Sequence, residues 1–412
     1  MPVLRAVCFN QGQLLNRSCL RPQDKVQPLE ILNMKKSLIA LAVVAASGAA
    51  MAQSSVTVFG RVDASLGASK NTVTGVSTTQ LFNGSAGGLT GSRWGLRGVE
   101  DLGGGLKGVF VLESGFSVDT GVSGQSNRLF GRQAFVGVQS QFGTLTLGRH
   151  QTPFYDFGLA FDPMAISSNY SITSQGTEFQ SRADNSVKYI GTFGGLTTSL
   201  LYSTGANTVG TASAYQGISG EVPGSYKTGR EYSASVVYNG GPFSIGAIFD
   251  ETNLGNPAIA GVDSTRAKIQ RASLAGTYAF GPAKVFAGYR YAHALDNARL
   301  PGGTLANGTV AANVSNLYWL GLGYQLTPAL SLTGAAYYQD FRNTGADPWS
   351  FVVSTDYAFS KRTDAYFNVA YTKNKDGSTL GLSGTGAAGS GFGATNGSAN
   401  QFGAVVGVRH KF

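Results

Sequence analysis

Gln401-Phe402-Gly403-Ala404-Val405-Val406-Gly407-Val408-Arg409-His410-Lys411-Phe412 closes the chain, and its alternation decides the fold. Phe402, Ala404, Val406, Val408, His410 and Phe412 fall on one face of a strand, with a large aromatic as the last residue. A soluble protein rarely ends on an extended apolar face. A transmembrane β-barrel does so readily, because its last strand pairs with its first and leaves no open edge in lipid. Val56-Thr57-Val58-Phe59-Gly60-Arg61-Val62-Asp63 alternates in the same way and supplies the expected first strand.

The 412 residues include 58 glycines, 11% aromatics and only 13% charged residues, with mean hydropathy near zero. Charge this sparse leaves a soluble β-protein short of surface polarity, whereas a barrel that is apolar outside and wet inside needs this balance. No apolar run reaches the ~20 residues of a helical span. Met34-Lys35-Lys36, the apolar stretch 37–46 and Ala50-Met51-Ala52 read as a secretory signal peptide over 34–52, cut before Gln53. Residues 1–33 then precede the true start, either through a mis-assigned upstream start codon or as an extended leader. Of 31 Lys/Arg and 22 Asp/Glu, six and two lie in 1–52, so the exported part carries 25 and 20, a net charge of +5. Both cysteines, Cys8 and Cys19, are removed with the leader, which excludes disulfides and thiol chemistry from 53–412. His150, His293 and His410 show no zinc-site spacing, so neither metal nor cofactor is expected.

Period-2 alternation gives sixteen strands: 55–68, 89–100, 105–118, 127–140, 143–150, 182–192, 195–204, 229–240, 242–252, 266–280, 283–294, 314–327, 329–342, 348–359, 362–375 and 399–412. The fold class is therefore all-β, a 16-stranded antiparallel transmembrane barrel, and the even count suits a single-chain barrel. Connections alternate in length. Tight Gly/Pro/Asn turns such as Phe193-Gly194-Gly195 and Phe280-Gly281-Pro282 interleave with long loops at 69–88, 119–126, 151–181, 205–228, 253–265, 295–313, 343–347 and 376–398. This sorting predicts short periplasmic turns and long extracellular loops. Charge parity orients the strands: Val285, Ala287, Tyr289 and Tyr291 face lipid, while Lys284 and Arg290 face the lumen, because a lipid-facing Arg or Lys near mid-membrane costs ~2–4 kcal/mol.

The same parity gives a lumen-facing set of charges in the first half of the chain. Arg61 goes with Asp63, Arg93 with Arg97, Lys107 with Glu113, and Arg182 with Asp184 and Lys188. Arg128 and Arg132 share a face with Ala134 and Val136. The third long loop, 151–181, has no strand pattern, and a loop of this length in a compact fold is usually functional or disordered. If it tucks into the lumen, its acids Asp156, Asp162 and Glu178 face the basic wall and set a transverse field across a narrowed pore. The bland alternative for each charge is an exposed rim or solvated loop.

Several motifs together resemble the Gram-negative general porins of the trimeric β-proteobacterial type. They are Ser55–Gly60, Ser92-Arg93-Trp94-Gly95-Leu96-Arg97-Gly98-Val99-Glu100-Asp101-Leu102-Gly103, Arg128-Leu129-Phe130-Gly131-Arg132-Gln133-Ala134-Phe135-Val136-Gly137, Leu147–Pro153, Arg182–Tyr189 and the terminal Phe412. The resemblance covers essentially all of 53–412. It implies a homotrimer in the outer membrane, an inward-folded third loop, and contacts with lipid and lipopolysaccharide. It also implies recognition of the C-terminal strand and Phe412 by the barrel-assembly machinery. Arg93, Arg132 and Arg182 match the family's constriction arginines, with Arg128 a contender.

The function this implies is passive diffusion of small hydrophilic solutes and ions, with a preference for anions and no role for nucleic acid. A substrate-specific channel is the nearest rival, and a surface adhesin is another. An enzyme fits poorly. His150 begins a loop, His293 ends a strand, His410 points outward, and no GxSxG elbow surrounds a serine. The GxGxxG match Gly103-Gly104-Gly105-Leu106-Lys107-Gly108 joins two strands and opens no helix, so it does not bind a dinucleotide.

Overall fold

A computed structural model describes residues 55–71, 77–84, 87–167, 169–207, 221, 224, 226–253, 266–296, 298, 300, 312–384, 392 and 399–412. The expected leader and upstream segment lie outside the described residues, as do parts of several long loops.

The strands are β1 (Ser55–Asn71), β2 (Ser77–Asn83), β3 (Arg93–Gly103), β4 (Leu106–Gly115), β5 (Gln133–Ser140), β6 (Gly143–Gln151), β7 (Arg182–Phe193), β8 (Leu196–Asn207) and β9 (Glu231–Gly240). There follow β10 (Phe243–Asn253), β11 (Lys268–Phe280), β12 (Ala283–Leu295), β13 (Val314–Gln325), β14 (Leu330–Phe341), β15 (Trp349–Ala358), β16 (Thr363–Lys373) and β17 (Gln401–Lys411). All lie in one antiparallel sheet, and β1 closes it by pairing with β17 from Arg61↔Lys411 to Asn71↔Gln401. Phe412 completes the seam: its N–H donates to the Gly60 carbonyl (3.1 Å), and the Gly60 N–H donates to its carbonyl (3.0 Å). The Phe412 ring lies against Gly60 so closely that a Cβ there would stand 2.2 Å from it.

Seventeen segments make sixteen staves because the second stave is broken. β2 pairs with β1 from Ala64↔Asn83 to Lys70↔Ser77, and β3 continues on the same edge from Arg61↔Arg93 to Ser55↔Val99. Alternation alone leaves β2 inside a loop. Its Gly- and Ser-rich neighbourhood (Gly84, Ser85, Gly87, Gly88, Gly91) hides a strand that resumes only after nine residues. The break is anchored by Asp63, which accepts from the Thr90 N–H (2.9 Å) and the Tyr366 hydroxyl (2.6 Å).

Outward faces carry the apolar residues, as parity predicts: Val56, Val58, Leu200, Leu320, Val406 and Val408 are all exposed. Outward aromatics gather at both rims. Phe142, Phe193, Tyr278, Phe280, Tyr357 and Phe359 mark the tight-turn end. Near the long-loop end, Tyr318, Tyr338 and Trp349 stand side by side, with Tyr338 and Trp349 stacked at 4.5 Å. Such belts sit at membrane–water interfaces.

The lumen is not simply hollow. Helix α1 (Pro153–Phe161) of the third long loop lies inside it. Thr152 caps α1 by accepting from the Tyr155 N–H, and Pro153 sits in the first turn, where its missing N–H costs nothing. Phe154, Phe157 and Phe161 form a stripe at i, i+3 and i+7, and each is at most 2% exposed. They pack with Phe179 and Ile172 against wall residues Ile248, Leu317, Trp319, Tyr337 and Val352. Burying each such side chain is worth about 1.5–3 kcal/mol. Gly246 makes the close approach possible, since a Cβ there would meet the Phe161 ring at 2.6 Å. The Trp319 Nε1–H donates to the Phe161 carbonyl (3.0 Å) and ties down the end of the helix. The inward-folded third loop expected from the resemblance is thus an amphipathic helix docked on aromatic partners.

Candidate functional site: an arginine-lined window

Across the lumen from the docked helix, the wall of β1, β3 and β7 turns basic. Arg61, Arg93, Arg132, Arg182 and Arg409 line one open compartment of ≈ 710 Å³, with Glu113 as its single carboxylate. The loop side of the compartment is Tyr155, Leu159, Ala165, Ile166 and Gln180. Arg61 lies directly opposite Arg93 on one neighbouring strand and Lys411 on the other. Like charges placed opposite each other destabilise a sheet. Three in a row mark a wall built for its field rather than its stability.

Four of these guanidiniums are held by named partners. Arg132 donates from Nε to Glu113 (3.0 Å) and from Nη2 to the Tyr155 hydroxyl (3.3 Å), while Arg93 stands 3.5 Å from the same carboxylate. Arg182 lies over the Tyr155 ring at 5.4 Å and donates to the Gln180 carbonyl (3.0 Å). Arg409 pairs with Asp364 (2.8 Å) and Asp356 (3.0 Å). Burial raises the Tyr155 phenol, but the guanidiniums of Arg132, Arg182 and Arg93 outweigh it and bring the group below the usual tyrosine value. Tyr155 is the loop side chain that both Arg132 and Arg182 engage.

Around this compartment the structure brings Arg93, Arg132 and Arg182, expected at the constriction, together with Arg61 and Glu113, expected only as lumen-facing charges, and it places other residues elsewhere. Arg132 arrives by a route that parity misreads. β5 begins only at Gln133, so Arg132 precedes the strand, and Val136, assigned to the same face, is 61% exposed on the outer wall. Arg128 also lies before β5 and does not line the compartment. It donates to Asp184 (2.7 Å), which also binds Arg149, so Asp184 neutralises two arginines away from the window. Asp63 is fully buried in the break of the second stave. Arg97 is exposed over the Phe59 ring (5.5 Å), and Lys107 is exposed beside the tight turn, opposite Asp101.

The three loop acids do not confront the arginine cluster, which corrects the transverse-field expectation. Asp156 binds Lys188 (2.5 Å) on β7, and Glu178 binds Arg290 (2.8 Å) on β12. Asp162 accepts from the Tyr337 hydroxyl (2.6 Å) and the Ile166 N–H (2.7 Å). Burial pushes its carboxyl up to about 6, against the lowering pull of those hydrogen bonds. The acids fasten the loop to the wall. Arg409 and Tyr155 join the site without having been expected there. Arg409 is findable from sequence, since it sits on the face of the last strand opposite Val408 and His410; Tyr155 is not, because its helix leaves no clear pattern.

His150 lies within β6 rather than at a loop start. It stacks on Phe135 at 4.8 Å with Nδ1 2.7 Å from the Ser186 hydroxyl, which donates to the Gly148 carbonyl (2.9 Å). This buried pair is engaged in holding a β-bulge between Gly148 and His150.

Comparison with known proteins agrees with this architecture. Residues 38–377 match the family model described as Gram-negative porin. Outer membrane porin protein 32 of Delftia acidovorans is 34% identical over 394 residues, spanning 92% of this chain and all of that protein. An outer membrane porin protein of Bordetella pertussis is 32% identical over 380 residues, covering 83% of this chain and 95% of that protein. Among solved structures, an anion-selective porin from Comamonas acidovorans superimposes with a TM-score of 0.70 at 27% identity, over 87% of this chain and 100% of that one. A closed sixteen-stave barrel with a water-accessible lumen, matched over nearly its whole length by such relatives, belongs to the Gram-negative porin family and serves as a diffusion channel of the outer membrane.

Proposed function

We propose that the channel prefers anions and that Arg93, Arg132 and Arg182, joined by Arg61 and Arg409, form its constriction. The observation that carries this reading is the charge count among the described residues lining the window: five guanidiniums to one carboxylate, of which only Arg409 is also paired with acids outside that lining, Asp364 and Asp356. A small anion entering the compartment meets fixed positive charge, most of it positioned by hydrogen bonds and ion pairs, so little reorganisation is needed as it passes. Neutral solutes are limited by size. The selectivity attributed by name to the solved Comamonas porin is in keeping with this reading. Arg128, Asp184, Asp63, Arg97, Lys107 and Lys188 then serve the wall, the rim or the loop anchor rather than the constriction.

The same reading takes the tight turns as periplasmic and the long loops as extracellular. It makes the chain a homotrimer whose aromatic belts contact lipid and lipopolysaccharide. Phe412, 47% exposed at the seam, is then both the closure residue and the signal read by the assembly machinery. Residues 34–52 act as the signal peptide and 1–33 as an upstream extension.

Reversal potential in planar bilayers under a KCl gradient tests the core of the proposal. An anion-favouring potential that declines in Arg182→Ala supports it. A cation preference rejects the arginine window while leaving the porin intact. An oligomer resistant to mild detergent, seen on gels before heating, checks the trimer.

A further inference from the structure

A second compartment adjoins the arginine window, and its chemistry is different. It has a volume of ≈ 490 Å³ and lies between the first turn of α1 and the wall of β5 to β9. The surface it offers is mainly apolar, with Phe135, Phe157, Ile190 and Val237 set among hydroxyl and amide side chains such as Thr146, Ser199 and Asn239. Its one cation–anion pair, Lys188 with Asp156, sits at the helix and contributes no net charge.

The two compartments are contiguous. Gln133 lines both, and its amide donates to Glu113 in the window (2.8 Å). Gln151 lines the window, and its carbonyl accepts from Lys188 of the second compartment (2.9 Å). On α1, Tyr155 faces the arginines while the next residues, Asp156 and Phe157, face the apolar side. One turn of helix thus separates a strongly cationic wall from an apolar one. A pocket of this size and lining, with a few convergent polar groups, is of the kind that takes a ring-sized ligand.

From this juxtaposition, and resting on the anion-preferring reading above, we propose that the lumen retains aromatic monocarboxylates. The carboxylate is held at the arginine window while the ring occupies the compartment lined by Phe135, Ile190 and Val237. A small carboxylate such as acetate uses only the first half of the site. An uncharged aromatic alcohol uses only the second. The proposal therefore makes the pore more than a size filter. Charge selects at the window, and an apolar body prolongs the stay immediately beyond it.

The test is ion-current block of the full channel in planar bilayers, with sodium acetate, sodium phenylacetate and 2-phenylethanol as probes. Phenylacetate is expected to reach half-block at a concentration at least ~10-fold below either of the others, a preference of ~1.4 kcal/mol. Ile190→Ser combined with Val237→Asn is expected to erase that advantage and leave acetate block and KCl selectivity unchanged. Equal half-block by acetate and phenylacetate in an anion-selective channel overturns the proposal and spares the arginine window. Equal half-block by phenylacetate and 2-phenylethanol shows that the carboxylate is not held and overturns it as well, as does a phenylacetate advantage that survives the double substitution. A channel that favours cations removes both readings together.

Discussion

The wall built from β1 to β7 with β17 and the wall built from β10 to β16 enclose one lumen, yet they treat the third loop in opposite ways. The first presents guanidiniums to open space and meets helix α1 through polar contacts, Arg132 with Tyr155 and Lys188 with Asp156. The second receives four loop phenylalanines into an aromatic core. The loop crosses the barrel because apolar packing pulls it to one side, and the channel is what that packing leaves open on the other. Charge attraction between the loop acids and the window arginines is not what folds the loop inward; those acids are engaged elsewhere, by Lys188, Arg290 and Tyr337.

The most severe way to break this contrast is to spoil the apolar side. Phe157→Ala with Phe161→Ala removes two rings, each worth about 3–5 kcal/mol when truncated in a core. The loop should leave its dock, raising single-channel conductance and lowering selectivity together. Unchanged conductance would mean that something other than this core holds the loop.

On the charged side, two arginines that look alike should behave differently. Arg132→Ala strips the buried Glu113 of its nearer cation, and breaking such a pair costs about 3–5 kcal/mol, so stability and selectivity should fall together. Arg182 has no carboxylate in ion-pair contact among the described residues. Arg182→Ala should therefore reduce anion preference with little change in thermal stability. Equal melting behaviour in the two variants would refute the distinction.

Asp162 gives the contrast a pH dependence. Its folded value, about 6, lies above the 3.8 of the free side chain. A raised acid binds its proton more tightly when folded, so its contribution to loop docking is full below pH 3.8 and is lost as pH rises through about 6. Proteolysis within loop 3 should accordingly be slower at pH 4 than at pH 7, and Asp162→Asn should flatten that difference. The smallest effect is expected from Lys188→Met with Asp156→Asn. The Asp156 side chain is 40% exposed, and ion pairs in contact with water contribute ~1 kcal/mol or less. Conductance close to that of the unaltered channel is the expected result; a loop released by this change would restore charge as its main anchor.

The strands are legible in the sequence because lipid imposes a two-residue period on the outer face, as Leu196, Leu200 and Tyr202 show. The turns are legible because Gly194, Gly241 and Gly281 adopt positive φ at the hairpins. Helix α1 is not. Its stripe of Phe154, Phe157 and Phe161 spans only nine residues, too short a window to stand out from the aromatic background. The position of Arg132 is hidden by a strand start that lies about six residues later than alternation suggests, enough to make parity meaningless there. The second compartment is beyond sequence altogether, since it joins five strands to one helical turn.

β1 carries a burden that no other strand shares. It pairs along one edge with both halves of the broken stave and along the other with β17, and Gly60 meets Phe412 at the corner. Every other pair of neighbouring staves is consecutive in sequence, but this seam joins residues at opposite ends of the barrel's sequence. Loop-closure entropy makes such a contact slow to find. Closure of this seam is the step expected to limit maturation, since a sheet not yet joined there keeps two unpaired edges. A bulky residue at Gly60 would slow that step first, before it altered anything the finished channel does.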